Sequence, residues 1–267
     1  MSSPDAANER PLALITGAST GIGYQLARQL ARRHYDLVLV ADEPSIHTVA
    51  KEFAPQGITT HALEADLGTP EGLDEVQRSL AALERPVEVA ALNAGIGAYG
   101  LFHELPLADD LRVVAVNITA NVTLAKNIIN GMVERGHGRV MTTSSVAATM
   151  PGPRYATYAA SKAFIQSFTE AIRVELADTG VTVTALIPGP TETDFFDRAD
   201  MNEAKVTSTD LDDPEQVAEQ AVEATLEGKD HVVTGKAMNR VQAAVGKLLP
   251  DAIAAKLHGT QTKPDQK

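Results

Sequence analysis

The sequence predicts an α/β fold: a doubly wound, mostly parallel seven-stranded sheet with helices on both faces. Three observations predict it. Short β-rich apolar runs alternate with longer helical patterns almost throughout the chain. The strand candidates are nearly continuous apolar runs, as in strands covered on both faces. Strand–helix alternation joined by right-handed crossovers winds such a sheet outward in two directions.

In chain order the strands read "LALIT" (Leu12–Thr16), "DLVLVA" (Asp36–Ala41), "ITTHALE" (Ile58–Glu64), "EVAALN" (Glu88–Asn93), "GRVMTTSS" (Gly138–Ser145), "VTVTALIP" (Val181–Pro188) and "HVVTG" (His231–Gly235). Helical patterns lie between them at Gly23–Arg33, Pro70–Glu84, Leu107–Arg135 and Tyr158–Gly180. No internal repeat and no linker rich in Pro, Gly or Ser divides the chain. Residues 11–258 therefore read as one domain, with flexible ends at 1–10 and 259–267. One interval breaks the rhythm. "TETDFFDRADMNEAKVTSTDLDD", Thr191–Asp213, is polar, acidic and weakly periodic, as expected of a lid or binding loop. The late segment "AMNRVQAAVGKLLPDAIAAKL" sets Val241, Ala244, Val245 and Leu248 on one face, suited to the core, to another subunit or to a membrane surface.

Of the 267 residues 44% are apolar, enough for a sizeable core. The chain has no cysteine, which excludes disulfides, thiolate nucleophiles and cysteine-ligated metals and suits a reducing cytoplasm. A net charge of −12 without any Lys/Arg run argues against nucleic acid as a partner. No apolar stretch approaches the ~20 residues of a membrane helix, and "MSSPDAANER" lacks the pattern of a signal peptide. A soluble, cytoplasmic protein without stable membrane insertion is expected. The seven histidines are scattered without ligand spacing, so no metal is expected.

"ITGASTGIG" places Gly17, Gly21 and Gly23 between the first strand and the first helix. Glycine permits positive φ and close backbone approach. The free N–H groups and positive dipole at that helix start make a site for a diphosphate. Downstream stand "NAG" at Asn93–Gly95, Asn117 within a long helical pattern, Ser145 at a strand end, and "YAASK" with Tyr158 and Lys162. Tyr-x-x-x-Lys puts both side chains on one helix face, one turn apart. An ammonium beside a phenol favours the phenolate. Moving a tyrosine from about 10 to about 7 requires roughly 4 kcal/mol, which a desolvated ammonium and a second positive charge together can supply.

The spacing Gly-x-x-x-Gly-x-Gly in "TGASTGIG", with Ser145 thirteen residues before Tyr158, resembles the short-chain dehydrogenase/reductase family. The resemblance runs from about Leu12 to Gly235 and implies a Rossmann-like fold. It also implies an NAD(P)-dependent oxidoreductase that moves hydride between nicotinamide and a carbonyl or secondary alcohol carbon. By that resemblance Tyr158 is the general acid/base, and Lys162 lowers its pKa and holds the nicotinamide ribose. Ser145 bonds the substrate oxygen, and Asn117 holds a water linking Lys162 to solvent. The cofactor would lie on Gly17, Ser19, Thr20, Gly21, Ile22 and Gly23, with Asp66 and Leu67 near its adenine. Asn93, Ala94 and Gly95 would lie beneath it, and Pro188, Gly189, Thr191 and Thr193 would hold its carboxamide. Ser144 and Tyr155 are neighbouring decoys; strand alternation points Ser144 away from Ser145.

Past the second strand, in "LVLVADEP", Asp42 is placed to bond ribose hydroxyls and to repel a 2′-phosphate, so NAD is expected over NADP. NAD-using relatives carry that acid one residue earlier, at the position of Ala41. "GAYGLFHELP" and Thr191–Asp213 are expected to border the substrate pocket, with Phe195 and Phe196 either walling it or tucked into the core. The long helical patterns are apolar around much of their circumference, which predicts a homodimer or homotetramer. A non-catalytic dinucleotide-binding regulator is the alternative function, although it would have no need of all four of Asn117, Ser145, Tyr158 and Lys162. An epimerase or dehydratase would need a larger C-terminal region.

Overall fold

In the computed structural model, which describes residues 10–201, 204, 210–237, 239 and 251–262, β1 (Leu12–Thr16) lies near the centre of a sheet. The other strands are β2 (Asp36–Ala41), β3 (Thr60–Glu64), β4 (Val87–Leu92), β5 (Gly138–Thr143), β6 (Val181–Ile187) and β7 (His231–Val233). They pair in the order β3-β2-β1-β4-β5-β6-β7, every pairing parallel. This is the expected doubly wound sheet.

Alternate residues of each central strand enter opposite layers. Ala13, Ile15, Leu37 and Leu39 pack with Leu26 and Leu30 of α1 (Gly21–Arg32) and with Val217 and Ala221 of α8 (Pro214–Leu226). Leu12, Leu14, Val38 and Val40 pack on the other face with Val76 of α3 (Pro70–Ala82) and with Leu124 and Met132 of α5 (Asn121–Arg135). Both faces being covered explains why these strands read as unbroken apolar runs. Full burial of each large aliphatic side chain contributes about 1.5–3 kcal/mol.

The structure moves several expected boundaries. The third strand starts at Thr60 rather than Ile58, whose side chain turns into the core behind Gly57. Between β2 and β3 lies α2 (Ile46–Glu52). The fifth strand ends at Thr143, which frees Ser144 and Ser145. The pattern over Leu107–Arg135 divides into α4 (Leu107–Val114), a π-helical stretch (Ala115–Ala120) and α5. That stretch widens the turn where Asn117 faces inward, 1% exposed. The irregular interval holds the short α7 (Phe195–Arg198) and a bridge between Thr191 and Asp212; its residues 202, 203 and 205–209 lie outside the described ones. Asp212, 3% exposed, accepts from the Lys236 N–H at 3.0 Å and from Asn239 Nδ2 at 2.6 Å, which ties the base of the interval to the end of β7.

The long helix after β5 is α6 (Ala156–Glu175). The boundary expected at 258 falls inside α9 (Asp251–Gln261), which is followed by a buried Thr262. Val241, Ala244, Val245 and Leu248 lie outside the described residues, as do 1–9 and 263–267. No helix among the described residues is long and apolar enough to cross a membrane.

The chain leaves β1 toward β2 on one side and returns from β3 to β4 on the other. This reversal opens a crevice at the carboxyl ends of β1 and β4. The hydroxyl of Thr16, 2% exposed, holds that crevice together. It accepts from the N–H groups of Asn93 at 2.9 Å and Ala94 at 3.0 Å, while Asn93 Nδ2 donates to Thr16 O at 3.2 Å. Thr143 Oγ1 donates to Asn93 Oδ1 at 3.1 Å, bringing in β5. Thr16→Val leaves the Ala94 N–H without its acceptor, at about 1–3 kcal/mol, and the Asn93 N–H with Ala91 O alone, at 3.0 Å. Calorimetry is expected to show a melting temperature lower by about 2 °C or more, with Thr16→Ser, which keeps the hydroxyl, staying close to wild type.

Candidate functional site: a dinucleotide-sized cleft

The crevice opens into a cleft with about 350 Å³ of room for solvent. Every residue expected to hold a cofactor lines it, from Gly17 through Thr193, together with Ser145 and Tyr158.

At one end is the glycine loop. Gly17 takes φ +66, and a Cβ on Gly23 would stand 1.9 Å from Gly17 O. Only a bare backbone lets the start of α1 approach the strand end so closely. Thr20 makes no side-chain cap, and the first turn of α1 carries no acid. The N–H groups at this helix end thus face the cleft without a side-chain acceptor, which fits them to a diphosphate.

The adenine end is charged. Asp66 Oδ1 accepts from Gly68 N at 2.9 Å and pairs with Arg112 Nη2 at 2.6 Å; the same guanidinium stands 3.9 Å from Asp42. Burial pushes the Asp66 carboxyl up, but the Arg112 hydrogen bond, the Gly68 N–H and the Arg112 charge outweigh it and hold the group below its ordinary value. Arg112, on α4, is a residue that sequence reasoning missed. Its nearest sequence landmark is Asn117, and nothing in that spacing points across to the end of β3.

At the far end stand Ser145, Tyr158 and Lys162. Ser145 follows β5 in an extended conformation, and its Oγ accepts from Ala147 N at 3.1 Å. Its hydroxyl also lies near enough to the phenol of Tyr158 to favour the phenolate. Ser144 turns away as expected, donating to Lys162 O at 3.0 Å. Lys162 Nζ donates to Thr143 O at 2.9 Å and lies 5.7 Å from the centre of the Tyr158 ring. A Cβ on Gly95 would come within 2.9 Å of that ammonium, so glycine keeps its approach open.

The depression expected for Tyr158 is not produced by the protein's own groups. Burial pushes the phenol up to about 12, with the nearby Ser145 hydroxyl pulling only partly against it. Burial also draws Lys162 down to about 8. Desolvation penalises both charged forms before any dinucleotide contributes its own charge.

Asn117 stands beside this group without lining the cleft. Its Oδ1 accepts from Ile96 N at 2.9 Å, and its Nδ2 donates to Ile96 O and to Ser161 Oγ, each at 2.9 Å. The side chain thus clamps the loop after β4.

Phe195 and Phe196 wall the cleft, the first of the two expected placements. Tyr155, set aside as a decoy, also lines it, and its hydroxyl meets His258 Nε2 on α9. The partners are 103 positions apart, and no local pattern signals them. Among the described residues no cluster of three or more potential metal ligands occurs.

Comparison with known proteins agrees with this geometry. Residues 11–204 match the family model described as short chain dehydrogenase. Oxidoreductase UcpA of Escherichia coli is 32% identical over 215 residues, covering 79% of each chain. The 3-oxoacyl-[acyl-carrier-protein] reductase FabG of Vibrio cholerae is 29% identical over 215 residues, covering 79% of this chain and 87% of its own. A short-chain dehydrogenase from Sphingobium yanoikuyae, solved in complex with NADPH, superposes with a TM-score of 0.80 at 28% identity, over 96% of this chain and 98% of that one. The chain is an NAD(P)-dependent oxidoreductase and belongs to the short-chain dehydrogenase/reductase family.

Proposed function

We propose that the enzyme interconverts a ketone and a secondary alcohol with Tyr158 as general acid/base. The observation that carries this is the convergence of Ser145, Tyr158 and Lys162 at one end of a cleft whose other end is the bare N-terminus of α1. A bound nicotinamide dinucleotide would supply or accept the hydride. The residues of this chain do the rest. The N–H groups at Gly21–Gly23 hold the diphosphate, Lys162 the ribose, and Pro188, Gly189, Thr191 and Thr193 the carboxamide. Ser145 fixes the substrate oxygen. Tyr158 donates a proton to that oxygen in reduction and removes it in oxidation. Asn117 positions the loop beneath Lys162, next to the path by which a water would carry protons outward.

We further propose that NAD is preferred over NADP, supported by Asp42 at the end of β2. Arg112 opposes this, since its charge could meet a 2′-phosphate, but its closest partner is Asp66. We propose that two or four copies assemble through α4 and α6. Leu107, 70% exposed, and Leu111, 56% exposed, on α4, and Phe164 on α6, are apolar side chains left in solvent by the single chain.

Tyr158→Phe is expected to lower turnover by about 10³-fold or more while shifting the NADH dissociation constant by less than about threefold. Rates near wild type would overturn the assignment. Because burial raises the phenol, its protonated form dominates near neutral pH. Reduction is therefore expected to be nearly flat from about pH 6 to 8, while oxidation, which needs the phenolate, climbs toward about pH 10. A dissociation constant for NADH at least about fivefold below that for NADPH is expected, narrowing in Asp42→Ala. Tighter NADPH binding that is unchanged in Asp42→Ala and lost in Arg112→Met would reverse the preference. Light scattering at micromolar concentration is expected to give a dimer or tetramer mass, and a monomer would refute the assembly.

A further inference from the structure

Beside Tyr158 the cleft is lined by Tyr155, Phe195, Phe196, Met201 and His258, none of which is assigned to the dinucleotide. Aromatic rings wall it in sequence. Phe196 meets Phe195 at 5.7 Å between centroids, Phe195 meets Tyr158 at 5.2 Å, and Tyr158 meets Tyr155 at 5.9 Å. Met201, 4% exposed, fills the side. His258 closes the end, set edge-on to Tyr155 at 5.4 Å.

The hydrogen bonds of His258 define its state. Its Nδ1 lies 3.1 Å from Pro151 O, and a carbonyl can only accept, so Nδ1 carries the hydrogen. Nε2 is then the acceptor, and the Tyr155 hydroxyl donates to it. Both ring nitrogens are used, and burial keeps the imidazole neutral by drawing its pKa down. Burial likewise pushes Tyr155 up and keeps it a phenol. Among the described residues no cation faces this end of the cleft. Lys162 is turned to Thr143 O. Arg198 pairs with Glu43 at 2.5 Å and lies 3.9 Å from Asp194, and Arg112 is held at the adenine end by Asp66. A carboxylate or phosphate drawn into this space would lose its hydration with no charge among the described side chains to replace it.

We infer that the substrate is an uncharged ketone, or the matching secondary alcohol, carrying a bulky apolar or aryl group, and that His258 sets the depth available to that group. The inference rests on the oxidoreductase reading above. In reduction the hydride of NAD(P)H adds to the carbonyl carbon and the Tyr158 proton to its oxygen, leaving NAD(P)+ and the alcohol; Tyr158 is then reprotonated from solvent.

Steady-state reduction of two ketones of matched shape tests the charge rule: 4-methylacetophenone and 4-acetylbenzoate. The neutral ketone is expected to have a kcat/KM at least about a hundredfold higher, and a smaller ratio would overturn the inference. The depth rule is read from the ratio of kcat/KM for 4-acetylbiphenyl to that for 4-methylacetophenone. His258→Ala is expected to raise that ratio at least about tenfold, whereas His258→Gln, which keeps an acceptor for Tyr155, leaves it near wild type. A general loss of structure would lower both ketones together, and an unchanged ratio in His258→Ala would refute the role of His258. Should His258→Ala not fold, the larger His258→Phe is expected to lower the ratio, and a ratio left unchanged refutes the role equally. If fluorescence shows NADH bound but no ketone or alcohol is turned over, the oxidoreductase reading itself fails, and this inference with it.

Discussion

One buried hydroxyl ties the site together. Thr16 ends β1, and its side-chain oxygen receives two backbone N–H groups of the turn that ends β4. Through Asn93 the same network reaches Thr143, whose carbonyl receives the Lys162 ammonium. The glycine loop, the loop under the cofactor and the catalytic helix are thereby indexed to three adjacent strand ends. Catalysis by placement needs tolerances that single side chains on loops do not supply. A parallel sheet supplies them because all its strands end on the same side.

That rigidity places ionisable groups in protein rather than in water. Tyr158 and Lys162 are both pushed toward their neutral forms by desolvation. The ammonium and the phenol therefore do not form a pre-charged pair waiting for substrate. A dinucleotide held in the cleft beside them would alter solvation and charge together, coupling the proton equilibrium of the site to occupancy of the cleft.

Much of the architecture was legible in sequence because it depends on local signals. β1 and β2 are unbroken apolar runs, and both faces of each are covered by helices, so burial and composition agree. The glycine loop was legible because its bare backbone is a steric requirement, with Gly23 against Gly17 O. Ser145, Tyr158 and Lys162 were legible from spacing along one strand end and one helix face. What escaped depended on distant partners. Arg112 reaches Asp66 across the top of the sheet, and His258 reaches Tyr155 from the other end of the domain. The upward push of burial on the Tyr158 phenol was hidden for a related reason: spacing shows that a lysine is near, whereas desolvation depends on everything else packed around the phenol. The π-helical turn at Asn117 was likewise hidden, since the backbone widens there without glycine or proline.

The contact between Tyr155 and His258 also has a meaning in time. During synthesis, residues emerge at about 5–20 per second, so the 103 positions between these two correspond to roughly 5–20 s of elongation. The strands β1 to β5, and with them the glycine loop, can form within that interval. The wall opposite the nicotinamide position cannot, because its last panel has not been made. A nascent chain thus passes through a stage at which the glycine loop has been made while the wall at Tyr155 still stands open to water.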